Sequence, residues 1–279
     1  MPKVSVIIPC YNYARYLPES VGSVMAQTFR DFEVIIVNDG STDDTREVAL
    51  RFADTFGADA VRLVDQENMG LPTARNNGIK VSRGEYFLPL DADDMIKPGF
   101  IEKAVEAMES GPALSVVYTQ SEIFGAESGI YYHKGFKLRS LLMHEGPCCT
   151  ALIRKSAWVE AGGYNPYMSK GFEDWEFYLN LFERGCKGML IPEPLFMWRR
   201  HGFSMSDDVG QNYSMMMIRN LKLLHPKLFE PSLSRVSTGL ARAVVWLKYW
   251  TRDRLMRYIY LKHPGFHAWL RNIKYGRTK

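Results

Sequence analysis

The sequence predicts an α/β fold in which a central mixed, mostly parallel sheet is flanked by helices, with a helical C-terminal extension. Two observations lead to this prediction. From Val4 to about Thr119, apolar runs rich in β-branched residues alternate with segments of helical character. Several of these runs end abruptly in polar residues, as buried strands do at the ligand-binding edge of an open α/β sheet.

The predicted elements follow in chain order. Strands are expected near residues 4–9, 32–37, 60–65, 86–90 and 114–119, with helices between them. Residues 120–146 are irregular and rich in Gly and Tyr, so we expect a loop or hairpin over the site. The remaining predictions are a strand over 148–154, a helix over 155–161 ended by Gly162-Gly163, a helix over 173–184, short strands over 187–191 and 195–199, and a helix over 215–224.

The segment Leu90-Asp91-Ala92-Asp93-Asp94 ends the apolar run that starts at Tyr86. Its three carboxylates repel one another unless something positive lies among them. A divalent cation with oxygen ligands, serving a phosphate-bearing substrate, is one interpretation. The alternative is that Asp93 or Asp94 caps the helix after Pro98 while the other acids are solvated.

Asp39 lies just past the carboxyl end of the second predicted strand and precedes Gly40 in a turn signal. One interpretation is that its carboxylate accepts hydrogen bonds within an Asx-turn. The other is that the carboxylate accepts a hydrogen bond from a nucleobase or a ribose, because ligands of α/β sheets bind at this edge.

The composition agrees with a soluble enzyme. The 279 residues, 46% of them hydrophobic, can bury a substantial core in one large domain or one domain with an appendage. No apolar stretch reaches the ~20 residues that span a bilayer, and we expect no signal peptide. The cysteines Cys10, Cys148, Cys149 and Cys186 show no CxxC spacing, so we expect reduced thiols.

The C-terminal residues 232–279 are basic and aromatic. They contain eleven Lys and Arg residues against the single acid Asp253, whereas the whole chain has a net charge of only +4. Such a segment can lie on an anionic membrane surface at the inner leaflet. It can equally pack on the catalytic domain or form a homo-oligomer contact, and we do not expect it to bind nucleic acid.

Several motifs, in order, resemble the nucleotide-sugar-binding half of the family-2 inverting glycosyltransferases. The quoted segments are Val4 to Asn12, Val37-Asn38-Asp39-Gly40-Ser41-Thr42-Asp43, Asn68-Met69-Gly70 with Ala74-Arg75-Asn76, and Leu90-Asp91-Ala92-Asp93-Asp94. The likeness continues through Gly162-Gly163-Tyr164, Phe172-Glu173-Asp174-Trp175-Glu176 and Trp198-Arg199-Arg200-His201. Each motif is weak alone, but their shared order is specific. The resemblance implies the GT-A fold, a Rossmann-like sheet.

The resemblance also implies roles for individual residues. It makes Asp93 the ligand of Mn²⁺ or Mg²⁺, with Asp91 on the ribose or the metal and His201 as a third metal or diphosphate contact. It makes Asp174 the general base, with Glu173 orienting it or touching the acceptor. Family position places Arg75 against Asp39 or a phosphate. The nucleotide-sugar-binding residues that it implies are Pro9, Tyr11, Asn12, Asp39, Asn68, Gly70, Arg75, Asp91 and Ala92.

The resemblance implies a division into a nucleotide-sugar-binding half over residues 1–119, an acceptor-binding half over 120–210 and a C-terminal extension over 211–279. We expect a metal-dependent, inverting transfer of one sugar from a nucleotide-sugar donor, with UDP as its nucleotide, to a glycan or lipid-linked acceptor. The expected setting is bacterial surface polysaccharide synthesis in the cytoplasm, peripherally at the inner membrane face. The alternatives are a sugar-phosphate nucleotidyltransferase and a non-catalytic nucleotide-sugar-binding protein.

Overall fold

The computed structural model describes residues 1–169, 171–201 and 211–229, with side chains from residue 218 onward in the last range. Its strands, in chain order, are β1 Val4–Cys10, β2 Phe32–Asp39, β3 Val61–Gln66, β4 Tyr86–Pro89, β5 Met95–Ile96, β6 Leu114–Gly125, β7 Gly129–Tyr131, β8 Leu152–Arg154 and β9 Lys187–Arg200. Its helices are α1 Leu17–Met25, α2 Thr45–Phe56, α3 Leu71–Val81, α4 Phe100–Ser110, α5 Leu138–Leu142, α6 Lys155–Ala161, α7 Glu173–Glu183, α8 Gln211–Leu224 and α9 Pro226–Phe229.

The strands form one sheet in the order β3-β2-β1-β4-β8-β6-β9-β5, and β7 pairs with β6. The first four strands run parallel to one another, as the alternation of strands and helices predicts. The antiparallel strand β8 joins this part to β6, which then runs parallel to β9. The predicted mixed α/β architecture is therefore confirmed.

Two layers of helices cover the sheet. Successive strand residues face opposite sides, so Ile8 packs with α1, α2 and α4 while its neighbour Ile7 packs with α3, α6 and α7. Helix α3 lies especially close to the sheet at Gly78, where an added Cβ would be 2.5 Å from Cγ2 of Ile7. This close approach fixes the position of the helix that carries Arg75.

The predictions for residues 187–199 and 114–119 were wrong in one respect. The prolines at 192 and 194 suggested a break between two short strands, yet Lys187–Arg200 forms one strand. It pairs with β6 along its whole length, and register shifts around Gln120 accommodate the irregular stretch. Strand β6 correspondingly continues to Gly125 rather than ending at Thr119.

The region between β6 and α6 is also more ordered than a single strand and loop. Residues 120–146 contribute the end of β6, the antiparallel strand β7 and the short helix α5, which confirms the predicted hairpin. The strand predicted over 148–154 is limited to Leu152–Arg154. The residues before it, including Cys148 and Cys149, instead pass the edge of the sheet where the parallel strands end.

The helical C-terminal part begins with α8 and α9, and α9 contacts α7. The link is His225, whose ring nitrogens lie 3.1 Å from Glu176 Oε1 and 2.9 Å from Glu183 Oε2, both on α7. Among the helices of the described residues, none is both long and apolar enough for a membrane span. The basic segment 232–279 and the loop predicted over residues 202–210 lie outside the described residues.

Candidate active site

The candidate site lies at the edge of the sheet where β1, β2 and β4 end. The three strands run parallel, so the polar residues that follow each of them meet at one edge. Strand β4 ends at Pro89, and the acidic segment that contains Asp91 and Asp93 follows directly. The front of α7, with Glu173 and Asp174, approaches the same edge from the second half of the chain.

Arg75 links these two acidic segments. Its guanidinium is fully buried, with Nη2 2.7 Å from Asp91 Oδ1 and Nη1 2.6 Å from Glu173 Oε1. The guanidinium carbon lies 5.5 Å from the centre of the Tyr164 ring. Burial alone would lower the pKa of Arg75, but the charges of Asp91 and Glu173 outweigh it and hold the pKa well above its ordinary value. Arg75 is thus a permanent cation between two carboxylates.

Of the two contacts expected for Arg75, the one with Asp39 was wrong, because its guanidinium binds Asp91 and Glu173, whereas the contact with a phosphate stays a prediction. Asp39 Oδ1 instead accepts from Gln66 Nε2 and from the Met69 amide, and Oδ2 accepts from the Gly70 amide at 2.9 Å. The carboxylate therefore holds the loop that leads into α3. Its proposed contact with a nucleobase or ribose stays a prediction.

Asp93 and His201 meet, as expected for partners in one metal or diphosphate site. His201 Nε2 lies 2.8 Å from Asp93 Oδ2, and its Nδ1 lies 3.1 Å from the hydroxyl of Tyr16. Burial and the charge of Asp91 raise the pKa of Asp93, against the lowering effect of His201. A carboxylate that resists ionisation for these reasons gains from a cation beside it.

Neither Asp93 nor Asp94 caps helix α4, whose N-cap residue is Gly99, so the alternative interpretation of these acids as helix caps was wrong. Helix α4 begins at Phe100, after Gly99, whereas Asp94 is 3% exposed and its Oδ1 accepts from the amide of Arg199 at 2.7 Å. Burial and the charges of Asp93 and Asp91 hold the pKa of Asp94 well above its ordinary value. This acid ties the segment after β4 to the end of β9.

A thiol joins the acidic segment and was missed by sequence reasoning. Cys149 Sγ, a carboxylate oxygen of Asp91 and one of Asp94 all lie within 4.8 Å of one another. The sequence shows only an adjacent cysteine pair before an apolar run, which carries no signal for a site. The prediction of free cysteines is confirmed for all four.

Glu173 and Asp174 stand at the start of α7, after Phe172 in a left-handed conformation with φ of 66°. Burial raises the pKa of Asp174 to about 6 against the opposing charge of Arg75. Burial likewise raises the pKa of Glu173 to about 7, again opposed by Arg75. Asp174 Oδ1 accepts only from the amide of Trp175 among the described residues. A carboxylate with a pKa near neutrality and no cation bonded to it can take up a proton.

Trp175 packs in the protein interior and does not present an exposed surface to the site. It is 7% exposed, and its indole N–H donates to the carbonyl of Leu141 in α5. The ring of His144 stacks on the indole with the ring centres 4.5 Å apart, and Phe172 lies beside both rings. The exposed His144 was not predicted, and it stands beside the residues that precede Asp174.

The loops after β1 and β2 are joined to each other at the predicted donor side. Asn12, with φ of 57°, donates its amide to Ser41 Oγ and accepts the Thr42 amide on Oδ1 at 2.7 Å. Tyr11, which we expect to stack on the base, is 46% exposed beside this junction, and Pro9 is buried in β1. An open aromatic ring over a fixed backbone is suited to stacking on a planar ligand.

The remaining predicted donor residues line the same edge. Gly70, with φ of 82°, precedes α3 in a conformation that favours glycine. Asn68 passes so close to Gly40 that a Cβ there would be 2.6 Å from its amide nitrogen. Ala92 is 4% exposed between Asp91 and Asp93. The geometry brings these residues together, and their contacts with a donor stay predictions.

Comparison with known proteins identifies the class. A family model described as glycosyl transferase family 2 matches residues 5–174. The chain therefore belongs to glycosyl transferase family 2, and the predicted glycosyltransferase class is confirmed.

Two relatives and two solved structures illustrate the likeness. Escherichia coli chondroitin synthase is 32% identical over 195 residues, which cover 66% of this chain and 27% of that protein. The putative glycosyltransferase EpsE of Bacillus subtilis is 30% identical over 224 residues, or 74% of this chain and 79% of EpsE. The chain thus spans about a quarter of the chondroitin synthase but most of EpsE.

Both solved structures share the fold at low identity. S. aureus TarS 1–349 in complex with UDP-GlcNAc aligns with a TM-score of 0.64 and 21% identity over 79% of this chain and 66% of that one. The mannosyltransferase PcManGT from Pyrobaculum calidifontis, in complex with GDP-Man and Mn²⁺, aligns with a TM-score of 0.61 and 17% identity over 96% of this chain and 83% of that one. The GT-A fold implied by the sequence is confirmed.

Proposed function

We propose that this family-2 glycosyltransferase is metal-dependent and inverting, and moves one sugar from a nucleoside-diphosphate sugar to an acceptor hydroxyl. The observation that carries the proposal is the arrangement around Arg75. One buried guanidinium joins Asp91, at the proposed donor and metal site, to Glu173, the neighbour of the proposed base Asp174. Arg75 therefore links the residues proposed to neutralise the leaving diphosphate to the segment that carries the proposed general base.

The donor set fits a hard divalent cation. Asp91 and Asp93 offer oxygen ligands, and His201 already contacts Asp93. Burial and the charge of Asp91 raise the pKa of Asp93 although His201 lowers it, so the protein's own groups do not fully compensate the negative charge of this carboxylate. Mn²⁺ or Mg²⁺ held by Asp91, Asp93 and His201 would neutralise the leaving diphosphate.

Asp174 is the proposed general base. Its carboxylate removes the proton from the acceptor hydroxyl while that oxygen attacks the anomeric carbon and the bond to the diphosphate breaks. A single displacement of this kind inverts the anomeric carbon and requires no enzyme nucleophile. Glu173 is held by Arg75 and orients the front of α7, which also carries Asp174.

UDP is the proposed nucleotide of the donor. The structure of TarS has been solved with UDP-GlcNAc. At the proposed donor side of this chain, the exposed ring of Tyr11 could stack on a base, and the carboxylate of Asp39 could accept a hydrogen bond from it. Asp39 accepts three hydrogen bonds from the protein, and a carboxylate has about four lone-pair sites, so one is left for a ligand N–H. Binding of GDP-Man by PcManGT makes GDP the competing donor nucleotide.

The proposed acceptor is a glycan or a lipid-linked glycan of bacterial surface polysaccharide synthesis. Residues 120–210 would bind it, residues 1–119 would bind the donor, and 211–279 would form the extension. The basic, aromatic sequence of residues 232–279 suits peripheral contact with an anionic inner leaflet, and a homo-oligomer contact is its other use. Deletion of residues 232–279 should abolish liposome binding in a variant that still binds donor, and unchanged liposome binding would exclude the membrane role.

Two other functions are less well supported. A nucleotidyltransferase is expected to carry a Gly-rich, basic phosphate loop after β1, and the chain has Pro9-Cys10-Tyr11-Asn12 there instead. A non-catalytic binding protein has no need for a buried carboxylate with a pKa near neutrality such as Asp174.

Calorimetry with UDP-glucose, UDP-galactose, UDP-N-acetylglucosamine, dTDP-rhamnose and GDP-mannose, in Mn²⁺ and in EDTA, tests the proposal. One donor should bind only with Mn²⁺, and Asp93→Ala should lose this binding. Asp174→Asn should keep donor binding and lose ~10²–10⁴-fold in transfer rate. Asp59→Ala, at a fully exposed carboxylate, is the control that should change neither. Equal binding in EDTA would contradict the metal role, and full activity of Asp174→Asn would contradict the base.

A further inference from the structure

The loop that follows β7 and the short helix α5 form a basic pocket that the proposed transfer does not use. Its volume is about 390 Å³, which is within the range of small-ligand pockets. The residues that line it are Lys134, Gly135, Lys137, Arg139, Ser140 and Glu145. Three of them, Lys134, Lys137 and Arg139, are the pocket cations, and with the one acid they give the pocket a formal charge of +2.

The pocket cations have no acidic partner. All three are exposed, and none of them forms an ion pair with Glu145 or with any other acid of the described residues. By contrast, Lys97 pairs with Glu122, and Lys103 pairs with Glu193. A concave surface lined by charges of one sign attracts ions of the opposite sign, so this pocket is suited to an anion.

The backbone of the pocket is held from the protein interior. Phe136, in the middle of the loop, is 9% exposed, and its ring centre lies 6.4 Å from that of Tyr178 in α7. The hydroxyl of Tyr118 donates to the carbonyl of Lys134, and the amide of Lys134 donates to the carbonyl of Glu145. A backbone that is already ordered loses little entropy when a ligand binds to it.

The pocket lies next to the segment that carries the proposed base. Arg139 and Ser140 belong to α5, and the following residue, Leu141, accepts the indole N–H of Trp175. Trp175 directly follows Asp174 in α7. Because α5 has only 5 residues and is therefore about 7.5 Å long, the pocket is within reach of an acceptor that is bound at Asp174.

We propose that this pocket binds a phosphate group of the acceptor, an inference that rests on the proposed function. The planar guanidinium of Arg139 can hold two phosphate oxygens at once, and the two lysines add positive charge. The hydroxyl of Ser140 offers a further donor. Glu145 repels an anion, but the pocket cations outweigh its single charge. The diphosphate of the donor is assigned to the separate site of Asp91 and Asp93.

Calorimetry with inorganic pyrophosphate tests the pocket without any transfer. The full chain is titrated in EDTA, which removes the cation that the proposed donor site requires. The wild type should bind one equivalent. The pocket variant Lys134→Gln/Lys137→Gln/Arg139→Gln should bind at least ~10-fold more weakly, because hydrogen bonds between charged groups are lost. It should keep the urea midpoint of the wild type, because all three side chains are exposed.

The matched control is Arg51→Gln/Lys222→Gln/Lys227→Gln. It removes the same charge from exposed cations outside the pocket and should bind pyrophosphate as the wild type does. No binding by the wild type would overturn the proposal. An equal loss of binding in the pocket variant and in the control would also overturn it, because the attraction would then depend on net charge alone.

Two phosphate-bearing probes identify the source of the phosphate. Binding of farnesyl diphosphate that is tighter than that of pyrophosphate would indicate a lipid-linked diphosphate, and tighter binding of glucose 1-phosphate would indicate a phosphorylated glycan. Either gain should be lost in the pocket variant. Equally tight binding of the neutral octyl glucoside would overturn the role of phosphate.

A competition experiment separates the pocket from the donor site. In Mn²⁺, saturation with the donor that binds should leave the binding of farnesyl diphosphate intact, and displacement by the donor would overturn the assignment to the acceptor. If no donor binds in Mn²⁺, the proposed function fails, yet the pyrophosphate titration still decides whether the pocket binds phosphate.

Discussion

Replacement of Arg75 by methionine tests whether the buried guanidinium holds Asp91 and Glu173 together. Methionine has a similar length and no charge, so the change leaves Asp91 and Glu173 without their shared cation. Removal of one partner from a buried ion pair typically costs about 3–5 kcal/mol, because the remaining charge stays buried and unpaired. The structure places this case near the lower end of that range.

The partners differ in how well they tolerate the loss. The Asp91 side chain is 27% exposed and can be hydrated, whereas the Glu173 side chain is only 7% exposed. The pKa of Glu173 is already about 7 because of burial, and it rises further once Arg75 is gone. Glu173 then takes up a proton near neutral pH, which limits the cost to about 3 kcal/mol.

Urea unfolding measures this loss. A decrease of about 3 kcal/mol lowers the midpoint by about 1 M if the slope is about 3 kcal/mol per molar urea. The matched control is Arg46→Met, which removes an exposed pair with Asp65 and should cost less than about 1 kcal/mol. Adding Glu173→Gln to Arg75→Met should recover part of the loss, because the neutral amide does not have to take up a proton in order to stay buried without the cation.

The result that refutes the reasoning is equally specific. A loss in Arg75→Met no larger than that in Arg46→Met would mean that the buried cation does not hold the two acidic segments together. A double variant that is less stable by the full sum of both single changes would show that Arg75 and Glu173 do not interact.

Three further predictions concern the pH dependence and the packing. Burial raises the pKa of Asp174 to about 6. Below that pH, kcat/KM should fall about tenfold per pH unit, because the general base takes up its proton. A flat profile from about pH 5 to about pH 7 would contradict the assignment of Asp174 as the base. Burial tends to lower the pKa of His225, but its hydrogen bonds to Glu176 and Glu183 raise the pKa above its ordinary value. The stabilisation that His225 contributes is therefore complete below its pKa in the unfolded chain and is lost as the pH rises through its pKa in the folded chain. The unfolding free energies of wild type and His225→Gln should thus converge with rising pH, and divergence would contradict the prediction. Gly78→Ala should destabilise the fold by about 1–3 kcal/mol in thermal or urea unfolding, because its Cβ would meet Ile7 at 2.5 Å, whereas Gly22→Ala in α1, with open space around it, should be neutral or stabilising; equal effects would refute the packing argument.

The strands of the first half could be predicted because their signals are local. Each is a short apolar run bounded by turn residues, and the structure places β1 to β4 within a residue or two of the expected limits. Lys187–Arg200 was harder to predict because its prolines suggest a break, and only its pairing with β6 carries the strand through them. Pairing partners distant in sequence leave no local signal.

The residues of the candidate site were likewise predictable only in part. The sequence placed Asp91, Asp93, Glu173 and Asp174 at one site through motif order, and it associated His201 with Asp93, which lies 108 residues away. It did not predict that Asp94 holds the end of β9 or that Cys149 lies beside the acids. Neither residue belongs to a periodic pattern or a motif that would indicate its neighbours.

The sequence by itself determined the α/β class, the glycosyltransferase family and the residue types at the site, because strand periodicity and motif order are carried by neighbouring residues. Only the tertiary structure decided what each polar group contacts. Arg75 and Glu173 are 98 residues apart, and their 2.6 Å contact exists because α3 packs closely on β1 while α7 covers the same face of the sheet. Burial at that contact sets the charges and the pKa values, so it is a property of the folded chain.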